Sequence, residues 1–324
     1  MTQPRMPAVR LPAFATSTAL EVTAVAVPAP TAARPVLVEV TAAALNPVDL
    51  KICAGRLPDP TLAEHLPLGL GYDLAGRVAA TRGETGWQVG TRVCGMVGFP
   101  DHPGTLAGYA LAAPDELVAV PDTVADVTAA ALPLVGLTAT QALVEQAQLA
   151  AGETVLITGA SGGVGSLLVQ LAHRLGARVI AVASGRHAER CRALGADVVL
   201  DYTAGPLARL TARIDVILHT VVELAGTVAD LTGVGAHTRG VTIVSLPDGV
   251  GGPLEGTRTL VRSDAAQLAR LIADVAAGAL QVPVAATYPL GQVQEACALL
   301  ATGHAGGKVV LRPDPAAAAA PPTG

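Results

Sequence analysis

Thr154-Val-Leu-Ile-Thr-Gly-Ala-Ser-Gly-Gly-Val-Gly-Ser-Leu-Leu-Val-Gln-Leu-Ala-His-Arg-Leu-Gly176 is the stretch on which the reading of this chain turns. Its first five residues are β-branched or apolar and suit a fully buried strand. Val164, Leu167, Leu168, Leu171, Ala172 and Leu175 then recur at helical spacing, and Gly176 supplies a stop. Between strand and helix stands Thr158-Gly-Ala-Ser-Gly-Gly-Val-Gly165. Glycines at such a junction allow a tight turn and a close backbone approach to a pyrophosphate, whose charge the amides opening the helix then face. Gly159, Ser161, Gly162, Gly163, Val164 and Gly165 are therefore the expected phosphate-binding residues.

Downstream, short apolar segments at Arg178–Ala183, Asp197–Asp201, Asp215–Thr220 and Val241–Leu246 alternate with helical patterns. With Thr154–Thr158 they predict five parallel strands in a doubly wound sheet. Upstream the texture differs. From Leu20 to Pro121, runs such as Val36-Leu-Val-Glu-Val-Thr41 and Leu117-Val-Ala-Val120 are separated by Gly and Pro, which predicts a β-rich lobe. The expected division is 1–122 with 263–324 in one domain and 123–262 in the other, with 313–324 an Ala/Pro tail too poor in large apolar groups to pack. The fold class is α/β.

Composition narrows the function. Of 324 residues, 51% are hydrophobic and 15% charged, which excludes general disorder. The mean hydropathy of +0.50 raises the membrane question. Two long uncharged runs, Val127 to Val144 and Thr154 to Ala172, are broken by Pro133 and Gly136 and by the glycine turn, so buried elements are expected rather than membrane spans. No secretory signal follows Met1, and a cytoplasmic location is the expectation. A net charge of −5 without a basic cluster speaks against nucleic acid. Four scattered cysteines and seven histidines show no metal-ligand spacing, so no metal site is expected.

The point ~20 residues beyond the glycines, where folds that prefer NAD carry a carboxylate for the ribose, reads Ser184-Gly-Arg-His187. Arg186 offers a fork suited to a 2′-phosphate and Ser184 a second donor, so NADP(H) is the expected cofactor. The same turn also fits the Thr-Gly-x-x-x-Gly-x-Gly pattern of short-chain dehydrogenases, which require Tyr-x-x-x-Lys. Tyr72, Tyr109, Tyr202 and Tyr288 are followed four places on by Gly76, Ala113, Pro206 and Gln292, so that family does not apply.

Other segments carry a longer likeness. Asn46-Pro-Val-Asp-Leu-Lys51, Gly71-Tyr-Asp-Leu-Ala-Gly-Arg-Val78, Ala130-Ala-Leu-Pro-Leu-Val-Gly-Leu-Thr-Ala139, the glycine turn, Gly195-Ala-Asp197 before Asp201-Tyr202, and Gly307-Lys-Val-Val-Leu311 occur in order along both lobes. Together they resemble the medium-chain dehydrogenase/reductase superfamily, in its zinc-free zeta-crystallin-like quinone oxidoreductase branch. The resemblance implies a GroES-like lobe, a Rossmann lobe and a homodimer. It implies that Tyr202 lies near the adenosine 2′-phosphate, Asn46 and Thr138 beside the nicotinamide, and Lys308 near the cofactor or the closing lobe, although Lys308 reads equally as a solvated strand charge. Ser245, near the end of the last expected strand, joins the cofactor-binding set. Zinc-dependent relatives have a Cys near Asn46 and Gly-His-Glu where this chain has Gly71-Tyr72-Asp73.

Without a Lewis acid, acceptors already activated by conjugation are favoured: quinones, enones and related alkenes. Asn46 and Lys51 are the candidate catalytic residues, Lys51 as proton donor. An enoyl-thioester reductase and a non-catalytic NADP-binding protein remain the alternatives. Three departures from the branch bear on substrate. They are Leu57 and Cys53 where relatives often carry Tyr and Arg, His219-Thr-Val-Val-Glu223 in place of Asp-x-Val-Gly-Gly, and the segment Gly235-Ala-His-Thr-Arg239.

Overall fold

A computed structural model describes residues 3–56, 60–101, 103–205, 213–221, 237–243, 257–259 and 261–313. The chain divides into two compact units, residues 1–134 with 262–324, and residues 135–261. The sequence placed the first change of texture at 122–123, and the helical residues that follow it carry the boundary.

In chain order the strands are β1 (Arg5–Leu11), β2 (Glu21–Ala26), β3 (Val36–Leu45), β4 (Leu68–Gly69), β5 (Asp73–Thr81), β6 (Arg92–Met96), β7 (Tyr109–Ala112) and β8 (Leu117–Ala119). There follow β9 (Thr154–Thr158), β10 (Arg178–Ala183), β11 (Val198–Asp201), β12 (Val216–His219), β13 (Arg239–Ile243), β14 (Thr257–Thr259), β15 (Val284–Pro289) and β16 (Lys308–Arg312). The helices used below are α1 (Pro47–Cys53), α2 (Asp126–Ala131), α3 (Pro133–Thr140), α4 (Gly163–Arg174) and α5 (Ala188–Ala193).

The first unit is built around β3, whose ten residues are mostly buried and pair antiparallel with β5, β7 and β16. The last strand of the chain thus returns to the middle of the first sheet, next to the residues that open α1. Small side chains at Ala129, Ala130 and Ala131 let α2 lie close on this sheet, and all three are buried. At the sheet's edge the chain's single tryptophan, Trp87, donates its indole N–H to the Pro114 carbonyl at 3.1 Å.

The second unit is a six-stranded sheet in the order β11-β10-β9-β12-β13-β14, with every neighbouring pair parallel. Counted from β9 this is the 3-2-1-4-5-6 order of a doubly wound dinucleotide-binding sheet, with its switch point between β9 and β12. Leu156, Ile180, Val182, Leu200, Ile214 and Ile217 form one core cluster on it, each stabilising the unit by roughly 1.5–3 kcal/mol through burial. Five strands were expected and six are found among the described residues. The sixth, Thr-Arg-Thr at 257–259, is too short and polar to give a period-2 signal. Among the described residues no helix is long and apolar enough to cross a membrane.

Candidate active site

The carboxyl edge of β9 runs straight into the glycine turn and α4. Gly159 has φ +61°, and a Cβ there would lie 2.4 Å from Thr220 Oγ1 and 2.6 Å from Val221 Cγ2. At Gly165 a Cβ would come within 2.2 Å of the Gly159 carbonyl oxygen. Backbone and helix are therefore in direct contact, and no side chain fits at either position. The turn is tied on both flanks. Thr158 Oγ1 accepts the Thr220 N–H at 3.1 Å, Thr220 Oγ1 donates to the Thr158 carbonyl at 2.6 Å, and Ala160 N–H donates to the Val182 carbonyl at 3.1 Å. α4 opens on Gly162 as its N-cap, a residue with no side chain to bond the first-turn amides. A cradle with no room for Cβ atoms, ending on uncapped helix amides, fits a pyrophosphate.

One residue past the paired ends of β10 and β11, whose register sets Ala183 against Asp201, stand Ser184 and Tyr202. Ser184 is buried and Tyr202 packs against the core cluster. Arg186 is exposed, and its Nε donates to His187 Nε2 at 3.2 Å. Two groups not singled out from sequence frame this edge. The Asp201 carboxylate accepts Thr203 Oγ1 at 2.6 Å and Thr203 N–H at 2.9 Å, and it abuts Gly185. These bonds, with one from the Gly185 amide, hold its carboxyl below the usual carboxylate range. It braces the loop rather than presenting a free carboxylate. Arg190 on α5 donates from Nη2 to the Ser161 carbonyl at 2.7 Å and pins the glycine turn from behind. A bond between residues 29 apart has no local sequence signal.

In the first unit, four polar side chains meet in the core. Lys308 Nζ donates to Asn46 Oδ1 at 2.5 Å, to the Leu45 carbonyl at 2.9 Å and to Asp73 Oδ2 at 3.2 Å. Asp73 Oδ2 also accepts Asn46 Nδ2 at 2.9 Å, while its Oδ1 accepts the Leu134 N–H at 2.7 Å. Asp49 Oδ2 accepts the Asn46 N–H at 2.8 Å and Asp49 Oδ1 the Gly71 N–H at 3.0 Å. None of the four is more than 4% exposed. Burial pushes the Asp49 carboxyl up to about 6, against the pull of two backbone hydrogen bonds and of Lys308. Burial likewise raises Asp73 and lowers Lys308, in each case opposed by their mutual attraction.

This network corrects the reading of Lys308 as a solvated strand charge. Its ammonium has three donors and all three are taken by protein acceptors. Asn46 and Lys308 are thus brought together, but with their polar atoms turned on one another. Lys51 lies in the last turn of α1, half-buried, and Thr138 is buried in α3. Cys53 is buried at the end of α1, and its thiol is pushed up to about 12 by burial. Ser245, Leu57, Glu223 and Gly235 lie outside the described residues. His219 is 3% exposed, and neither ring nitrogen has a hydrogen-bond partner among the described residues. No three His, Cys, Asp or Glu side chains gather as a metal site among the described residues.

Comparison with known proteins identifies the family. Residues 32–122 match the alcohol dehydrogenase GroES-like domain, and residues 194–311 match the zinc-binding dehydrogenase family. The chain is 35% identical over 291 residues to 2-methylene-furan-3-one reductase of Solanum lycopersicum, spanning 86% of this chain and 72% of that one. It is 34% identical over 290 residues to the chloroplastic NADPH-dependent alkenal/one oxidoreductase of Arabidopsis thaliana, again 86% and 72% of the two chains. Among solved structures, the quinone oxidoreductase from Coxiella burnetii superposes with TM-score 0.88 at 30% identity, covering 96% of this chain and all of that one. Fold and site define a two-unit protein with a GroES-like and a Rossmann-like part. The chain belongs to the medium-chain dehydrogenase/reductase superfamily, in its zinc-free quinone oxidoreductase branch.

Proposed function

We propose that the chain transfers hydride from NADPH to a conjugated acceptor, a quinone, an enone or a related alkene, without zinc. The protein is an oxidoreductase acting on a small molecule. The observation that carries the reading is the glycine cradle, in which Gly159 and Gly165 leave no room for a Cβ and α4 opens on uncapped amides. Its support from relatives is that one is named an NADPH-dependent alkenal/one oxidoreductase and another a furanone reductase.

A bound nicotinamide dinucleotide would supply the hydride, and the residues of the chain supply position and selectivity. The amides from Gly162 to Gly165, with Gly159 and Ser161, hold the pyrophosphate. Ser184, Arg186 and Tyr202 read the adenosine 2′-phosphate, Arg186 through a charge-assisted fork. Thr138 faces the nicotinamide, with Ser245 assigned to the same cofactor. Lys51 delivers the proton that completes reduction, and the family carries a homodimer into the proposal. The test is to follow NADPH oxidation against quinones, enones, enoyl thioesters and simple alcohols, with light scattering for the assembly. Oxidation with the conjugated acceptors and none with alcohols is expected, and turnover of alcohols alone would overturn the reaction class.

A second reading, reduction of an enoyl thioester, uses the same residues and is separated from the first only by that acceptor panel.

A further inference from the structure

The four buried side chains of the first unit have no contact assigned to them in the proposed reaction, yet they touch the starts of both helices that carry its proposed residues. Asn46 caps α1, the helix of Lys51, and Asp49 accepts the amide of that cap. Asp73 accepts the Leu134 amide in the first turn of α3. Thr138 lies four residues further on, which is one turn along the same helix face. Lys308 binds Asn46 and Asp73 together.

We propose that Lys308 and Asp73 are positioning residues: a buried cation and carboxylate that fix the start of α1 and the first turn of α3 at Leu134, and through α1 the placement of Lys51. The inference rests on the reductase reading above. Asn46 belongs to the same device. With Oδ1 on Lys308, Nδ2 on Asp73 and the Ala44 carbonyl, and its backbone N–H on Asp49, Asn46 acts through the helix it caps rather than by touching substrate.

The physical case is one of direction. A carboxylate at the head of a helix takes an amide that would otherwise be orphaned, and it does so along one line only. Asp73 meets that condition with Oδ1 while its Oδ2 is held by Asn46 and Lys308, so the carboxylate plane cannot swing. Burial removes water as an alternative partner for all of these atoms. A displacement of about an ångström at a reacting group costs on the order of a hundredfold in rate, so a fixed helix start has kinetic weight.

Asp49 supplies an independent readout. Burial raises its carboxyl to about 6. The groups that face it are Lys308 from β16, Asp73 from β5, Tyr72 beside Gly71, Cys53 on its own helix and Cys297 from the helix Val293–Ala301. Of these Lys308 alone lowers it.

The experiment compares wild type, Lys308→Met and the neutral pair Asp73→Asn/Lys308→Met, measuring kcat, KM, NADPH affinity by calorimetry and the pH profile of kcat. We expect kcat to fall by about tenfold or more while NADPH affinity, set by the glycine cradle and Arg186, stays within about twofold. The acid limb of kcat should lie near pH 6 in wild type, and it should move upward in Lys308→Met, because the charge that lowers Asp49 is gone. Lys308→Arg should recover part of kcat. A folded neutral pair with wild-type kcat overturns the proposal, as does an unmoved acid limb in Lys308→Met, and so does a parallel loss of kcat and NADPH affinity. Slow hydrogen exchange at the Leu134 amide of the wild-type protein is required whether or not the variants fold. Failure of wild type to turn over any conjugated acceptor strikes the reductase reading instead, while that exchange rate still tests the clamp on α3.

Discussion

Lys308 and Asp73, 235 positions apart in the chain, lie 3.2 Å from one another in the core of the first unit, with side chains 4% and 0% exposed. Each is disfavoured by burial and retained by the other. Removing one partner leaves the other's charge uncompensated, which costs about 3–5 kcal/mol. Lys308→Met should therefore lower the unfolding midpoint in urea by that equivalent, while Asp73→Leu/Lys308→Met, with no charge left to bury, should recover most of it. A double variant as unstable as the single would mean that the hydrogen bonds to Leu134 and Asn46, not charge balance, dominate.

Asp49 carries the opposite lesson about pH. Its carboxyl is raised from 3.8 to about 6 by burial, so between those values the folded state binds more protons than the unfolded one. Stability attributable to this group is present at low pH and is lost as pH rises through about 6, at up to about 1.4 kcal/mol per pH unit. Asp49→Asn should lack that slope. Unfolding free energies of the two proteins, taken every half unit across the window, should diverge with the variant gaining relative ground at higher pH.

His219 should show the reverse dependence. Its ring is held below the ordinary value of 6.5 by burial, so the unfolded chain takes up the proton first as pH falls. Wild-type stability should drop on acidification below about 6.5 relative to His219→Gln, whose side chain does not titrate. Parallel pH curves for the two proteins would show that the buried ring gains a partner when it charges.

Gly165→Ala places a methyl group 2.2 Å from the Gly159 carbonyl. Since both atoms belong to backbone, either α4 or the turn must shift. The expected result is loss of detectable NADPH binding by calorimetry together with a destabilisation of about 1–3 kcal/mol. Full affinity in this variant would remove the cradle from the binding mechanism.

Arg186→Ala tests the choice of nucleotide. A charge-assisted hydrogen bond contributes roughly 1.5–3 kcal/mol, so NADPH should bind about tenfold to a hundredfold more weakly and NADH nearly as before. Equal weakening would assign Arg186 a general role in the loop rather than recognition of the phosphate.

Much of this site was legible in the sequence, for physical reasons that can be named. The turn at Thr158–Gly165 announces itself because glycine spacing, a buried strand and an amphipathic helix are all local properties. Asn46-Pro-Val-Asp49 also carries a local signal, a cap residue followed by proline and an acid at the third helical position, although it reads as helix start and not as half of a charge network. Lys308 was misleading for the opposite reason. A lysine opening a terminal strand is ordinarily solvated, and the partners that bury it come from β3, α1 and β5, far away in the chain. The bonds between Arg190 and Ser161 and between Asp201 and the Gly185 loop were invisible in the same way, the first as a product of the parallel pairing of β9 with β10 and the second of β10 with β11. Strand β14 was missed because three residues carry no period.

Trp87 gives the molecule a built-in reporter. As the chain's single indole, bonded to the Pro114 carbonyl within the GroES-like unit, it makes emission excited selectively at tryptophan, beyond the tyrosine absorption band, a signal from that unit alone. Backbone circular dichroism, by contrast, sums over both units, and nucleotide added during denaturation bears on the Rossmann-like one. Any gap between the emission and dichroism curves then measures directly how far the two parts of the chain melt as separate bodies.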